Sequence, residues 1–328
     1  MKITLEIVIE MTSLSVNKLA SPIVQRMISD SELLGISVTE TEEGTTIIDA
    51  GLHASGGIEA GRLMTEVCLG GLARVNIQTR MYGSYGLPII YVNTDKPLIS
   101  LLGSQFAGWN IKVGEFRALG SGPARALALK PKHLYNSIGY EDESDNAIIA
   151  LETSTLPNEE VISKIALDCG VDENKLTIII APTSSLAGSV QVSGRILEVG
   201  LHRLINLGLD GSSVLSSHGF SPIAPVHPDA RKAMGRTNDM IIYGGVAAFS
   251  VSENDDKSLK TLLEAAPSSS SSEYGRPFFD IFKETGYDFY KLDPGLFAPA
   301  VLCVNNVKTG SVFSVGEVNL DLIKRSIS

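Results

Sequence analysis

The sequence predicts an α+β protein made of two α+β subdomains with a substrate cleft between them. Short Val/Ile-rich runs alternate with Ala/Leu-rich amphipathic ones along the whole chain, the pattern of mixed strands and helices. A length of 328 residues, at roughly 150 per domain, accommodates about two folding units. A hydrophobic share of 44% with a charged share of 20% excludes disordered, collagen-like and coiled-coil chains.

Taken in order, residues 1–12 stand apart as an N-terminal extension. Glu6 and Glu10 interrupt its apolar run, which leaves no signal-peptide core. A first subdomain is placed over 13–185 and a second over 186–328, with segments able to interleave. In the first, Val16–Leu34, Glu59–Cys68, Pro123–Leu129 and Glu159–Cys169 read as helices, and Thr45–Asp49, Leu87–Val92, Ala147–Leu151 and Leu176–Ala181 as strands. The Glu159 helix is the best punctuated: Asn158-Glu159-Glu160 loads acids onto its first turn, and Gly170 follows the last periodic residue as a C-cap does. In the second, Val190–Leu207 and Lys257–Ala265 read as helices, and Met240–Tyr243 and Ala300–Val304 as strands. Ser268–Ser272 reads as a loop. The acidic group Glu141, Asp142, Glu143 and Asp145 reads as a solvated turn between subdomains, with a metal site as the lesser alternative.

Composition also narrows the partners. With 27 Lys+Arg against 37 Asp+Glu, the net charge of −10 offers no footprint for nucleic acid or anionic lipid. Cys68, Cys169 and Cys303 form no C-x-x-C pair, which fits thiols in a reducing compartment and gives no zinc pattern. No run approaches the 18 or so apolar residues of a membrane span. A cytoplasmic protein without a metal is the expectation.

Four stretches hold candidate chemistry. In Leu119-Gly-Ser-Gly-Pro-Ala-Arg125 and on to Lys132, Gly120 and Gly122 flank Ser121 ahead of a helix. Free N–H groups there suit a phosphate or carboxylate, although such turns also serve packing alone. In Ala181–Gly200, helical spacing puts Leu197, Leu201, Leu204 and Ile205 on one face and Arg195, Glu198 and His202 on the other. An Arg and a Glu three apart can touch, so inside a cleft the pair would be a general base with its partner; from periodicity alone it is a solvated surface pair. In Ser221–Asp239, three prolines stiffen a loop presenting His227 and Asp229, and Thr237, Asn238 and Asp239 offer donors and acceptors for a heterocycle edge. Finally, eight aromatic side chains fall within Tyr274–Ala300, dense enough for an apolar pocket, a subunit contact or core.

Together these motifs closely resemble the methenyltetrahydromethanopterin cyclohydrolases of one-carbon metabolism. The resemblance rests on Leu14-Ser-Val-Asn17, Glu59-Ala-Gly61, Leu69-Gly-Gly-Leu72, Leu102-Gly-Ser-Gln105, Ala107-Gly-Trp109, Gly120 to Lys132, Ala181-Pro-Thr183, Ser193-Gly-Arg195 with Glu198, Ala233-Met-Gly235, Thr237-Asn-Asp239 and Phe297-Ala-Pro299. It runs from about Ser13 to the C-terminus, with Met11 nearer the family's usual start. It implies hydrolysis of the methenyl cation to 5-formyltetrahydromethanopterin, in a cleft of a homo-oligomer, often a trimer, with no metal or separate redox cofactor. The family's catalytic Arg and Glu match Arg195 and Glu198. Residue type suggests Thr237, Asn238 and Asp239 for the pterin edge, and Ser121, Arg125, Lys130 and Lys132 for an anionic tail.

Two other readings stay open. Leu119-Gly-Ser-Gly-Pro-Ala-Arg125 faintly resembles the phosphate loop of galactokinase-like small-molecule kinases, with Pro123 and Arg125 in place of small residues. A non-catalytic pterin-binding protein would keep the cleft without needing Glu198.

Overall fold

The computed structural model describes residues 14–288 and 291–328; the extension read over 1–12 lies outside them. The first half runs α1 (Val16–Ser29), α2 (Ser31–Leu34), β1 (Ser37–Glu40), β2 (Thr46–Asp49), α3 (Ile58–Cys68), a long hairpin β3 (Ala73–Tyr82) and β4 (Tyr85–Thr94), a π-helix Leu98–Gln105, β5 (Trp109–Val113), β6 (Phe116–Ser121), α4 (Ala124–Ala128), α5 (Lys132–Ile138), β7 (Ala147–Glu152), α6 (Glu159–Cys169) and β8 (Leu176–Ile180). The second runs α7 (Leu186–Ser193), α8 (Ile196–Asn206), β9 (Val214–Pro222), α9 (Ala230–Gly244), β10 (Val246–Val251), α10 (Asp256–Glu264), α11 (Phe278–Glu284), β11 (Val301–Asn306), β12 (Ser311–Gly316) and α12 (Leu320–Ile327).

These strands make two six-stranded sheets, ordered β1-β2-β8-β7-β6-β5 and β12-β11-β10-β9-β4-β3. In the first, β2, β8 and β7 are parallel neighbours. β7 and β8 are covered on both faces, which explains why Ala147–Leu151 reads as an unbroken apolar run and Leu176–Ile180 as one broken only by Thr177. Ile148, Ala150 and Ile179 pack toward α1 and α3 with Val24, Met27 and Leu63. Ile149, Leu151, Ile178 and Ile180 pack toward α6 with Val161, Ile162 and Ile165. The α6 span agrees with its sequence punctuation: Asn158 accepts the Val161 N–H and Gly170 closes the helix at φ +69°.

The hairpin β3–β4 belongs to the second sheet, because β4 pairs antiparallel with β9. A single boundary near 185 therefore does not separate the sheets; residues 73–94 cross over. Val75, Ile90 and Val92 join the core of Leu197, Leu201 and Phe249 from the second half.

Three expectations are corrected. Met240–Tyr243 is no strand but the end of α9. Met240, Ile242 and Tyr243 pack on Phe278 and Leu296 while Ile241 faces a different core, so the helix end is apolar all round and its short run mimics a strand. The stretch read as a stiff loop up to Asp239 becomes α9 from Ala230, capped by Asp229, which accepts the N–H groups of Arg231 and Lys232. The acidic group is not uniformly solvated: Asp142 is buried and accepts the Asn17 backbone N–H at 3.0 Å and its Nδ2 at 2.7 Å, pinning the start of α1. Among the described residues no helix is long and apolar enough to cross a membrane.

Candidate active site

The helix expected over Val190–Leu207 is interrupted at Gly194-Arg195, between α7 and α8. A Cβ on Gly194 would stand 2.6 Å from Thr65 Cγ2, so glycine lets this break lie against α3. Arg195 occupies the N-cap position of α8 and Glu198 its first turn. Periodicity alone reads the pair as solvated, yet Arg195 is 8% and Glu198 6% exposed. The missing cover comes from the π-helix, which packs on α8, and from Phe106, whose ring lies 5.0 Å from that of His202.

Arg195 Nη1 donates to Gln105 O at 2.8 Å and lies 3.6 Å from Glu198 Oε2. The same Gln105 carbonyl accepts Ser121 Oγ at 2.6 Å, and Gln105 Nε2 donates to Gly194 O at 3.0 Å. Gln105, the last residue of the π-helix, thus ties the break between α7 and α8 to β6. Single π turns often mark functional sites. Burial pushes the Glu198 carboxyl above its ordinary range, opposed by the charges of Arg195, His202 and Arg125. Its place at a helix N-terminus also favours the anion. A carboxylate held in this balance accepts a proton more readily than a free one and remains ionisable.

Arg195 opens onto a cleft of about 790 Å³ between the first sheet and α9. One wall is the outer face of β5 to β7, carrying Asn110, Lys112, Arg117, Leu119 and Glu152. The other carries Met234, Thr237 and Asn238 from α9, with Tyr287 beside them. Glu152 bonds the Thr183 hydroxyl at the end of β8. Thr237 Oγ1 and Asn238 Nδ2 both donate to Met234 O, at 3.0 and 2.9 Å, which fixes their orientation on the wall.

The structure thus brings Arg195, Thr237 and Asn238 to one cleft, with Glu198 set back beside Arg195. Asp239 is not with them. It is buried on the opposite side of α9, accepting the Phe278 N–H at 2.8 Å and Ser326 Oγ at 2.6 Å. Ser121 is buried with its hydroxyl on Gln105, and the Gly122 N–H donates to Ser104 O, so this glycine turn packs the interior. Arg125 is wholly buried on backbone carbonyls. Lys130 lines a neighbouring hollow of about 320 Å³ that shares Asn110 and Lys112 with the cleft. Lys132 is exposed at the start of α5. The aromatic stretch divides between core and cleft: Phe278 and Phe282 are buried, whereas Tyr287 reaches the cleft wall.

Sequence reasoning does not single out Lys112, Arg117 and Glu152. For Lys112 and Arg117 the signal is the alternation over Trp109–Lys112 and Phe116–Leu119, in which Trp109, Ile111, Phe116 and Ala118 are buried and Asn110, Lys112, Arg117 and Leu119 face out toward the cleft; Glu152, at the end of an otherwise buried strand, carries no such signal.

Comparison with known proteins agrees on one family. A family described as Cyclohydrolase (MCH) matches residues 15–327. The chain is 49% identical over 315 residues to the methenyltetrahydromethanopterin cyclohydrolase of Methanothermobacter marburgensis, covering 95% of this chain and 98% of the relative. It is 45% identical over 317 residues to the enzyme of that name from Methanocaldococcus jannaschii, covering 96% and 98%. To that from Methanospirillum hungatei it is 48% identical over 313 residues, covering 95% and 98%.

Proposed function

This chain belongs to the methenyltetrahydromethanopterin cyclohydrolase family, hydrolases that open a cyclic amidine, and we propose that it carries out that reaction on Glu198 and Arg195. The observation that carries this reading is the buried Arg195–Glu198 pair at the edge of a cleft large enough for a pterin.

The methenyl carbon lies between two nitrogens that share a positive charge, so it is an electrophile that water attacks once a base removes a proton. Glu198 takes that proton as the water oxygen bonds to the carbon. The resulting tetrahedral adduct carries the former water as a hydroxyl. Its collapse forms the formyl C=O and breaks one C–N bond. Glu198 returns its proton to the leaving nitrogen, and the hydroxyl proton goes to solvent. The cationic centre plus water thus gives a formyl product uncharged at that centre plus one proton, and Glu198 ends as it began.

Arg195 poses a difficulty, since a guanidinium repels a cationic substrate. Pairing with Glu198 makes the two groups nearly neutral together, while Arg195 orients the incoming oxygen. The pterin edge lies along Thr237 and Asn238 opposite Glu152. The anionic tail follows Lys112 and Arg117 toward Lys130, because Lys112 lines both the cleft and the adjoining hollow.

The test follows the methenyl absorbance of methenyltetrahydromethanopterin with the wild-type chain, beside the folate analogue. Fast loss with the methanopterin form supports the reading. Loss no faster than the spontaneous rate overturns it and favours a pterin-binding protein. Protection from thermal unfolding by ATP and magnesium, rather than by the pterin, would favour the kinase.

A further inference from the structure

Arg125 stands out as a buried cation with no substrate to meet. It lies on the five-residue helix α4 and is fully buried. Nη1 donates to Leu102 O at 3.2 Å and Ser104 O at 3.1 Å, and Nε to Lys130 O at 2.8 Å. Its guanidinium lies over Phe106 at 5.3 Å and Tyr135 at 5.4 Å from the ring centroids. Among the described residues Nη2 has no hydrogen-bond partner. A buried charge with an unpaired N–H group is costly, so a fold that only needed to fill this space would do better with an apolar residue.

Two features connect the residue to the site. The carbonyls it grips, those of Leu102 and Ser104, belong to the last turn of the π-helix, and the next residue, Gln105, holds Arg195. The Phe106 ring on which it lies is also the ring that packs on His202, one turn beyond Glu198. We propose that Arg125 is a positioning residue for the Arg195–Glu198 pair: its fork fixes the end of the π-helix, whose last residue holds Arg195. This rests on the reading of the site given above.

The groups facing Glu198 are Arg195 and His202 on its own helix end and Arg125 across from α4; those facing Arg125 are Tyr135, Glu198 and Arg195. Burial raises the Glu198 pKa and Arg125 works against that rise. Loss of the Arg125 charge therefore leaves Glu198 protonated up to a higher pH.

The test compares kcat, KM and the acid limb of kcat against pH for wild type, Arg125→Gln and Arg125→Lys. Both variants are expected to lose kcat, by about 10²-fold for Gln, with KM within about threefold. The acid limb is expected to move to higher pH in Arg125→Gln and to stay in place in Arg125→Lys. A packing role alone would lower the melting temperature without moving the limb. An unmoved limb in folded Arg125→Gln, or a raised KM with kcat intact, overturns the proposal. Where Arg125→Gln does not fold, Arg125→Lys decides: reduced kcat at constant KM supports it and wild-type kcat overturns it. A wild type without turnover instead overturns the reading on which this rests.

Discussion

Arg195 and Glu198 stand 3.6 Å apart, and the shorter bond of Arg195 goes to the Gln105 carbonyl at 2.8 Å. The pair is thus an ion pair whose arginine is held by a third group, not by the carboxylate it faces. Glu198 keeps lone pairs available for a water, and its partner stays in place whether or not the carboxylate is protonated. That arrangement suits the base proposed above, which would change charge twice in each turnover.

Replacing Glu198 by Gln keeps the shape and removes the carboxylate proposed as the base. Turnover is expected to fall about 10²–10⁴-fold with KM changed little. Steady-state kinetics on the methenyl absorbance check this, and near wild-type kcat in a folded variant would remove Glu198 from the mechanism. In the wild type, burial raises the Glu198 pKa, so the acid limb of kcat is expected above the range of a free carboxylate.

Gly194 sets where Arg195 points. A Cβ there meets Thr65 Cγ2 at 2.6 Å and Ile90 Cδ1 at 3.1 Å, while Thr65 Oγ1 is tied to Gly61 O at 2.8 Å. Gly194→Ala is expected to cost about 1–3 kcal/mol from overpacking and to lower kcat as the break shifts. Thr65→Ser removes Cγ2 and keeps the hydroxyl, so the double variant is expected to recover part of both losses. Additive losses in a double-mutant cycle would place the effect elsewhere.

Strands β2, β7 and β8 and helix α6 are legible in the sequence, β7 and β8 because they are covered on both faces and α6 because it carries its own caps; β1, β5 and β6, exposed on one face, are not. The placement of 73–94 is not, since pairing of β4 with β9 leaves no mark in local periodicity. The site is legible unevenly. Arg195 and Glu198 emerge through a family motif, while spacing alone points to solvent, because the cover over α8 comes from the π-helix some 90 residues earlier. Read as a loop, the sequence groups Asp239 with Thr237 and Asn238 as consecutive residues. On a helix, a step of about 100° per residue turns Asp239 away from the wall that Asn238 lines.

Lys112 and Arg117 face the cleft from adjacent strands, where Lys112 pairs with Arg117 in the antiparallel register. Such paired like charges weaken the sheet unless an anion sits between them. Lys112→Gln and Arg117→Gln are each expected to raise KM about tenfold, close to 1.4 kcal/mol of binding, with kcat nearly unchanged. The effect should shrink as ionic strength rises. A fall in kcat at constant KM would place these residues in the chemical step instead.

Asp239 provides a test of the fold independent of activity. Burial raises its pKa to about 7, against the pull of the Ser326 hydroxyl and the Phe278 N–H, with Asp280 adding to the rise. In the unfolded chain the group titrates near 3.9, so between about pH 4 and 7 the folded state binds more protons than the unfolded one. The contribution of Asp239 to stability therefore falls as pH rises through that window and levels off above it. In Asp239→Asn the side-chain amide can still accept the Phe278 N–H and can donate to Ser326 Oγ, yet it does not ionise. The stability of Asp239→Asn relative to wild type is expected to improve by about 1.4 kcal/mol per pH unit through the window. Denaturant melts from pH 5 to 8 at one protein concentration measure this. Parallel curves would mean that Asp239 ionises in the fold as freely as in solution, and that its two hydrogen bonds, rather than burial, decide its charge.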